Sequence, residues 1–112
     1  MLTYLNESNT AVVVLHEIYG INQHIKDICW QLSGHGVDVF APHMLQNETV
    51  FDDEQEDLAY NNFFQHIGFE KAFDQVNLFL RQIRDRYSRI FVVGFSVGAT
   101  VAWLCSQEPE LC

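Results

Sequence analysis

Three short apolar runs, each followed by a helical pattern, constrain the fold of this 112-residue chain more than any other feature. They are residues 11–15 (AVVVL), 37–41 (VDVFA) and 89–93 (RIFVV). Runs rich in β-branched residues are typical of strands buried on both faces of a sheet. Strands and helices that alternate at this spacing predict an α/β domain, with a parallel sheet, right-handed crossovers and helices on both faces.

Capping residues and apolar stripes support this order of elements. Asn22 is a predicted helix N-cap, and Gly34 and Gly36 close the helix that follows it. Two stripes at helical spacing mark buried helix faces: Ile25, Ile28, Cys29 and Leu32 in the first helix, and Phe69, Ala72, Phe73, Val76, Phe79, Leu80 and Ile83 in a later one. We expect both stripes, together with Cys105, to pack in the core.

Local composition also predicts the segments between these elements. Residues 2–5 are a strand candidate, and residues 6–10 indicate a turn. Residues 43–57 indicate a polar loop, whose acidic cluster at 52–57 is typical of a solvated loop and helix start. Gly68 is expected to separate two helices. The last helix is expected to end at Glu108 and Pro109.

Composition excludes several classes of function. The chain has 6 basic and 15 acidic residues and a net charge of −9, which disfavours binding to nucleic acid or to anionic membranes. No apolar run approaches the roughly 20 residues that cross a bilayer. Three cysteines without a regular spacing, and a start without a basic and apolar leader, predict free thiols and a cytoplasmic location.

The sequence Gly94-Phe95-Ser96-Val97-Gly98 carries the clearest chemical signal. It lies between a predicted buried strand and an apolar helix, which is the context of a nucleophile elbow. Glycines at both ends allow a tight, strained turn that exposes the Ser96 hydroxyl, and the amide of Val97 at the helix start can stabilise an oxyanion. The alternative is an ordinary strand-to-helix turn with an incidental serine.

A second motif, residues 16–20 (HEIYG), follows the first buried strand. In this architecture a loop after an early strand supplies the second oxyanion amide, for which Ile18 is the candidate. An ordinary loop that uses Gly20 for its turn is the alternative.

The two motifs together resemble the dienelactone hydrolase family of the α/β-hydrolase fold. The resemblance rests on residues 12–20 (VVVLHEIYG), on the INQHIKDICWQLSGHGVDVFAP that follows, and on residues 93–99 (VGFSVGA). It implies Ser96 as the nucleophile, Glu17 as the acidic residue beside it, and Ile18 and Val97 as the oxyanion-hole amides. It also implies hydrolysis of small esters or lactones without a metal or organic cofactor.

Three departures from the family pattern limit what the resemblance implies. The dienelactone hydrolases proper have a cysteine nucleophile where this chain has Ser96, and residues 44–47 (MLQN) lack the family's substrate-binding arginine. Carboxylate-bearing dienelactones are therefore doubtful substrates. Residues 99–112 contain neither His nor Asp, so the triad base and acid that follow the elbow are missing.

The upstream histidines are weak substitutes for the missing base. His16 ends a strand near the elbow, but we expect it to brace the oxyanion loop rather than to act as a base. The spacing of the others does not suggest a metal site, and we expect surface or structural roles for them: His24, His35, His43 and His66.

Two functions follow, and both treat residues 1–112 as a single partial α/β-hydrolase domain whose C-terminal half is absent. The first is a serine hydrolase of small esters or lactones, active only as part of a longer chain. The second is a non-catalytic, truncated or pseudo-hydrolase module that binds a ligand or partner. In the 112-residue chain alone, residues 89–93 would form an unpaired sheet edge, which predicts poor solubility, self-association or pairing with the missing half.

Overall fold

Four strands form one sheet in this computed structural model, which describes residues 1–45 and 48–108. The strand order across the sheet is β1-β3-β2-β4. The strands are β1 (Leu2–Tyr4), β2 (Thr10–Leu15), β3 (Asp38–Ala41) and β4 (Arg89–Gly94). The helices are α1 (Gln23–Ser33), α2 (Glu56–Asn62), α3 (Gly68–Ile83) and α4 (Val97–Ser106).

The predicted α/β class is confirmed, but the sheet is mixed rather than wholly parallel. The central strand β2 is parallel to β3 and to β4, whereas β1 is antiparallel to β3. The short connection between β1 and β2 explains this direction. Because β1 runs antiparallel to the other strands, it finishes at the amino end of the sheet, where β2 begins. A parallel β1 would finish at the opposite end and would need a long crossover to reach β2.

Side chains alternate between the two faces of β2, and each face is covered by helices. Val12 and Val14 pack in a cluster with Ile25 and Cys29 of α1. On the opposite face, the cluster includes Ala11, Val13 and Leu15 of β2 together with residues of α2, α3 and α4. The predicted placement of helices on both faces, with the apolar stripes of α1 and α3 turned inward, is therefore confirmed.

Helix α1 begins and ends where its sequence predicts. The Asn22 side chain accepts a hydrogen bond from the Ile25 amide at 3.1 Å, which is the N-cap interaction. Gly34 is the C-cap, and its amide donates to the carbonyl of Trp30 at 3.2 Å. The orientation of the segment that enters α1 is consequently fixed.

The segment predicted as a polar loop contains both buried and helical residues. Met44 and Leu45 are buried in the core, because the chain turns inward immediately after β3. Asp52 caps a 3₁₀ turn at Asp53–Gln55, which leads directly into α2. The acidic cluster therefore includes a helix start, as predicted, while Gln46 and Asn47 lie outside the described residues.

Gly68 separates α2 from α3, as predicted, with a π-helical turn at Phe63–Ile67 in between. Its φ of +75° is a backbone conformation that favours glycine. At the end of the chain, α4 stops at Ser106, and the predicted stop at Pro109 lies outside the described residues.

The amino end of the sheet is held by one buried carboxylate. Asp38 accepts hydrogen bonds from the Asn6 amide at 2.6 Å, the Ser8 amide at 3.3 Å and the Tyr87 hydroxyl at 2.6 Å. Burial acts to raise the pKa of Asp38, but these hydrogen bonds and the charge of Arg86 outweigh it and lower the pKa. Burial and the same contact raise the pKa of Tyr87 to about 12.

Strand β4 lies at the edge of the four-stranded sheet, paired only with β2 among the strands described. Its Phe91 side chain is 53% exposed, and an apolar groove beside it is lined by Leu80, Ile90 and Val92. Self-association through this edge stays a prediction, which a monodisperse monomer in light scattering would contradict. In the described part of the chain, no helix has the length and apolar content needed to cross a bilayer.

Candidate active site

The carboxyl ends of β2 and β4 lie side by side and bring the two sequence motifs together. Leu15 is paired with Gly94, so the residues that follow each strand leave the sheet at the same level. The Phe95 amide then donates to the Leu15 carbonyl at 3.1 Å, which continues the pairing into the turn. Loop 16–20 and turn 94–98 are therefore neighbours.

Ser96 occupies the strained position of the turn. Its φ of +56° and ψ of −117° are a combination that residues with a side chain rarely adopt. Its side chain is exposed and makes no capping hydrogen bond with the first turn of α4. The hydroxyl is thus available to solvent and to a substrate, as the nucleophile of an elbow must be.

Close backbone contacts explain both glycines of the motif. A Cβ atom on Gly94 would overlap the carbonyl group of Gly98, and a Cβ on Gly98 would overlap the Leu15 carbonyl oxygen. The Gly98 amide donates to the Phe95 carbonyl at 2.9 Å, which closes the turn. The two glycines therefore allow α4 to start directly against the end of β2.

Ile18 and Val97, the predicted oxyanion donors, are both buried residues in these adjacent segments. Across residues 1–45 and 48–108, neither amide has a hydrogen-bond partner. Amides in buried segments are normally paired, so two unpaired ones in these adjacent segments are suited to receive a ligand oxygen. Val97 is also the first residue of α4, where the helix dipole favours negative charge.

His16 is fully occupied as a structural brace. Its Nδ1 contacts the Glu17 carbonyl oxygen, and its Nε2 accepts a hydrogen bond from the Met44 amide at 2.9 Å. This pattern assigns the proton to Nδ1. Burial lowers the pKa of His16 to about 4, against the effect of the Glu17 contact, so the ring is neutral at pH 7. The ring links the loops after β2 and β3, as the bracing hypothesis predicts.

Glu17 and His24 form a pair beside the turn at residues 94–98, and the sequence did not predict this pair. His24 Nδ1 lies 3.4 Å from Glu17 Oε1, and the His24 ring packs edge-on against Phe95 at 5.5 Å between centroids. His24 is exposed, as predicted, but it also contacts the residue that precedes Ser96. No local pattern could indicate this contact, because Phe95 lies far along the chain.

The structure thus gathers all six predicted site residues into two adjacent segments: Glu17 and Ile18 in one, and Gly94, Ser96, Val97 and Gly98 in the other. It does not bring His35 or His66 into any described contact with them. Cys29 and Cys105 are buried in the core, as predicted. Among the described residues, no three side chains of the usual metal-binding types meet in one place.

Comparison with known proteins gives one family and several relatives. A model of the dienelactone hydrolase family matches residues 2–112. The chain is 39% identical over 100 residues to "Uncharacterized protein YczH" of Bacillus subtilis (strain 168), a match that covers 89% of this chain and 48% of that protein. It is 28% identical over 113 residues to a "Putative carboxymethylenebutenolidase" of Aquifex aeolicus (strain VF5), covering 90% of this chain and 47% of that protein.

A third relative is the "Probable 2-oxo-3-(5-oxofuran-2-ylidene)propanoate lactonase" of Bradyrhizobium sp. It is 27% identical over 110 residues, which cover 90% of this chain and 42% of that protein. The chain therefore spans less than half the length of the curated relatives it matches.

Proposed function

This chain belongs to the dienelactone hydrolase family, and we propose that it carries the nucleophile of a serine hydrolase acting on small esters or lactones. The observation that supports this most is the backbone of Ser96, whose strained φ and exposed side chain suit an elbow. The unpaired amides of Ile18 and Val97 support the same proposal, because an acyl-transfer site needs donors for an oxyanion.

In the proposed reaction, Ser96 Oγ forms a bond to the substrate carbonyl carbon while a histidine accepts its proton. The carbonyl π electrons move to the oxygen, and the amides of Ile18 and Val97 donate to that oxyanion. The carbonyl re-forms as the ester C–O bond breaks, and the same histidine returns the proton to the leaving oxygen. Water then repeats the sequence and releases the acid and Ser96.

The histidine and its acidic partner come, in this proposal, from sequence outside these 112 residues. His16 is unsuited because both of its ring nitrogens already have partners within the fold. We therefore expect the 112-residue chain alone to turn over no substrate, and a longer chain with Asp and His after the elbow to be active. A cytoplasmic location is also part of the proposal.

The proposed substrates are uncharged at the group that enters the site. The relatives' names include a lactonase and a carboxymethylenebutenolidase, which supports an ester or lactone bond as the reacting group. Residues 44–47 contain no arginine to bind a substrate carboxylate, and the chain carries a net charge of −9. Neutral esters or lactones are therefore favoured over carboxylate-bearing ones.

Labelling with a neutral alkyl fluorophosphonate tests the proposed nucleophile. Ser96 Oγ would displace fluoride from phosphorus, and mass spectrometry of the natural protein that contains this sequence would locate the adduct. We expect the adduct on Ser96, no adduct in Ser96→Ala, and unchanged labelling in Ser106→Ala, a control serine on α4. An unlabelled natural protein, or an adduct on another serine, would contradict the proposal and favour the non-catalytic module.

A further inference from the structure

His24 belongs to neither motif, yet its side chain connects them. Its Nδ1 lies 3.4 Å from Glu17 Oε1 in the loop after β2, and its ring packs against Phe95 in the turn after β4. Phe95 is the residue immediately before Ser96. His24 therefore contacts both halves of the candidate site.

The backbone that carries His24 is fixed, although its side chain is exposed. Asn22 caps α1 through the Ile25 amide, and the Lys26 amide donates to the Asn22 carbonyl at 3.0 Å. The His24 side chain is 55% exposed and the Glu17 side chain 30% exposed. Even a fully charged pair this exposed stabilises a fold by at most about 1 kcal/mol, so stability gives little reason for the arrangement.

The charge around the oxyanion loop explains why a basic partner for Glu17 matters. Burial, followed by the carboxylates of Glu56, Asp53 and Glu17, raises the pKa of Tyr19, and Glu17 is one of these three acidic neighbours of the loop. Glu17 directly precedes Ile18, a proposed oxyanion donor. A carboxylate free to turn towards that amide would repel the negative charge that develops in the transition state.

We infer that His24 is a positioning residue, which holds the Glu17 carboxylate away from the oxyanion site through its contacts with Glu17 and Phe95. This inference rests on the proposed function, because it needs Ser96 to react through an oxyanion. The substrate is neutral before the reaction, and negative charge develops only in the transition state and the tetrahedral intermediate. Loss of His24 should therefore slow the chemical step and leave binding nearly unchanged.

A double-mutant cycle on fluorophosphonate inactivation of the natural protein tests the inference. In His24→Ala we expect the limiting inactivation rate to fall about tenfold, with the half-saturating probe concentration changed by less than about twofold. In the Glu17→Gln background, where no carboxylate remains to be held, His24→Ala should have no further effect. His24→Asn, whose amide can replace Nδ1 as a donor, should recover most of the rate.

The control variant is Gln23→Ala, in the same turn of α1 but bonded to Asp27 and not to the site. Its inactivation rate should remain within about twofold of the wild-type rate. Equal slowing by His24→Ala in both backgrounds would assign His24 to packing on Phe95 and overturn the inference. If wild-type Ser96 is labelled and the effects are additive, only this inference fails; if Ser96 is never labelled, the proposed function fails with it.

Discussion

The two ends of the sheet each hold one buried polar side chain, and the two are used differently. At the amino end, Asp38 accepts three hydrogen bonds that tie the turn after β1 to the segment before β4. At the carboxyl end, His16 also has partners on both ring nitrogens. Beside His16, however, lie a strained serine and two amides with no partner in the described chain.

This difference separates stability from function within one small sheet. At the amino end, the hydrogen-bonded Asp38 carboxylate favours a single folded arrangement. Strain and unpaired donors at the carboxyl end cost stability, and they persist only because the surrounding structure fixes them. The comparison predicts opposite effects on the free energy of unfolding for variants at the carboxyl end. Variants that disturb the packing around the turn should lower it, and variants that relieve the backbone strain should raise it.

The largest loss of stability should come from adding a side chain at Gly98, where the turn has no room for one. In Gly98→Ala the new methyl group would overlap the Leu15 carbonyl oxygen, so α4 could no longer start against β2. We expect the free energy of unfolding in urea to fall by about 4 kcal/mol, or the chain to fail to fold. Gly34→Ala, at a helix C-cap with φ −62°, is the control and should change it by less than about 1 kcal/mol.

As the solution becomes acidic, the free energy of unfolding should fall first because of His16, at the carboxyl end of the sheet. The pKa of His16 is about 4 when folded and 6.5 in an unperturbed histidine, so the unfolded chain binds more protons between these values. The contribution of neutral His16 to the free energy of unfolding is complete above pH 6.5. It decreases as the pH falls towards 4, by about 3 kcal/mol in total. Urea unfolding across this range should lose that slope in His16→Gln and keep it in His35→Gln; equal slopes would contradict the assignment.

The amino end should respond to acid only at lower pH. Hydrogen bonding holds the pKa of folded Asp38 below 3.8, so its stabilisation is present above that pH and decreases as the pH falls through the folded value. At pH 7, Asp38→Ala should lower the free energy of unfolding by about 2 kcal/mol and Tyr87→Phe by about 1 kcal/mol. A larger loss in Tyr87→Phe than in Asp38→Ala would show that the carboxylate is not the centre of this network.

How much the sequence could predict depends on the distance along the chain between interacting residues. Local patterns predicted β2, β3 and β4 to within a residue or two, the Asn22 cap and the glycine-flanked turn around Ser96. They could not predict contacts between distant segments. The bond between Asp38 and Tyr87, the His24–Phe95 contact and the burial of Met44 are the main examples.

The smallest expected effect is a gain in stability at the strained position itself. Ser96→Gly should raise the free energy of unfolding by about 1 kcal/mol, because glycine adopts φ +56° and ψ −117° without a steric penalty. Ser96→Ala keeps the Cβ atom and should give no such gain, which separates backbone strain from the loss of the hydroxyl. Glu7→Gly relieves a φ of +55° near the amino end, and we expect a smaller gain there, because ψ at Ser96 also lies outside the left-handed helical region. Equal gains in the free energy of unfolding for Ser96→Gly and Glu7→Gly would mean that both ends of the sheet store the same backbone strain. The two ends would then differ only in the unpaired amides at the carboxyl end.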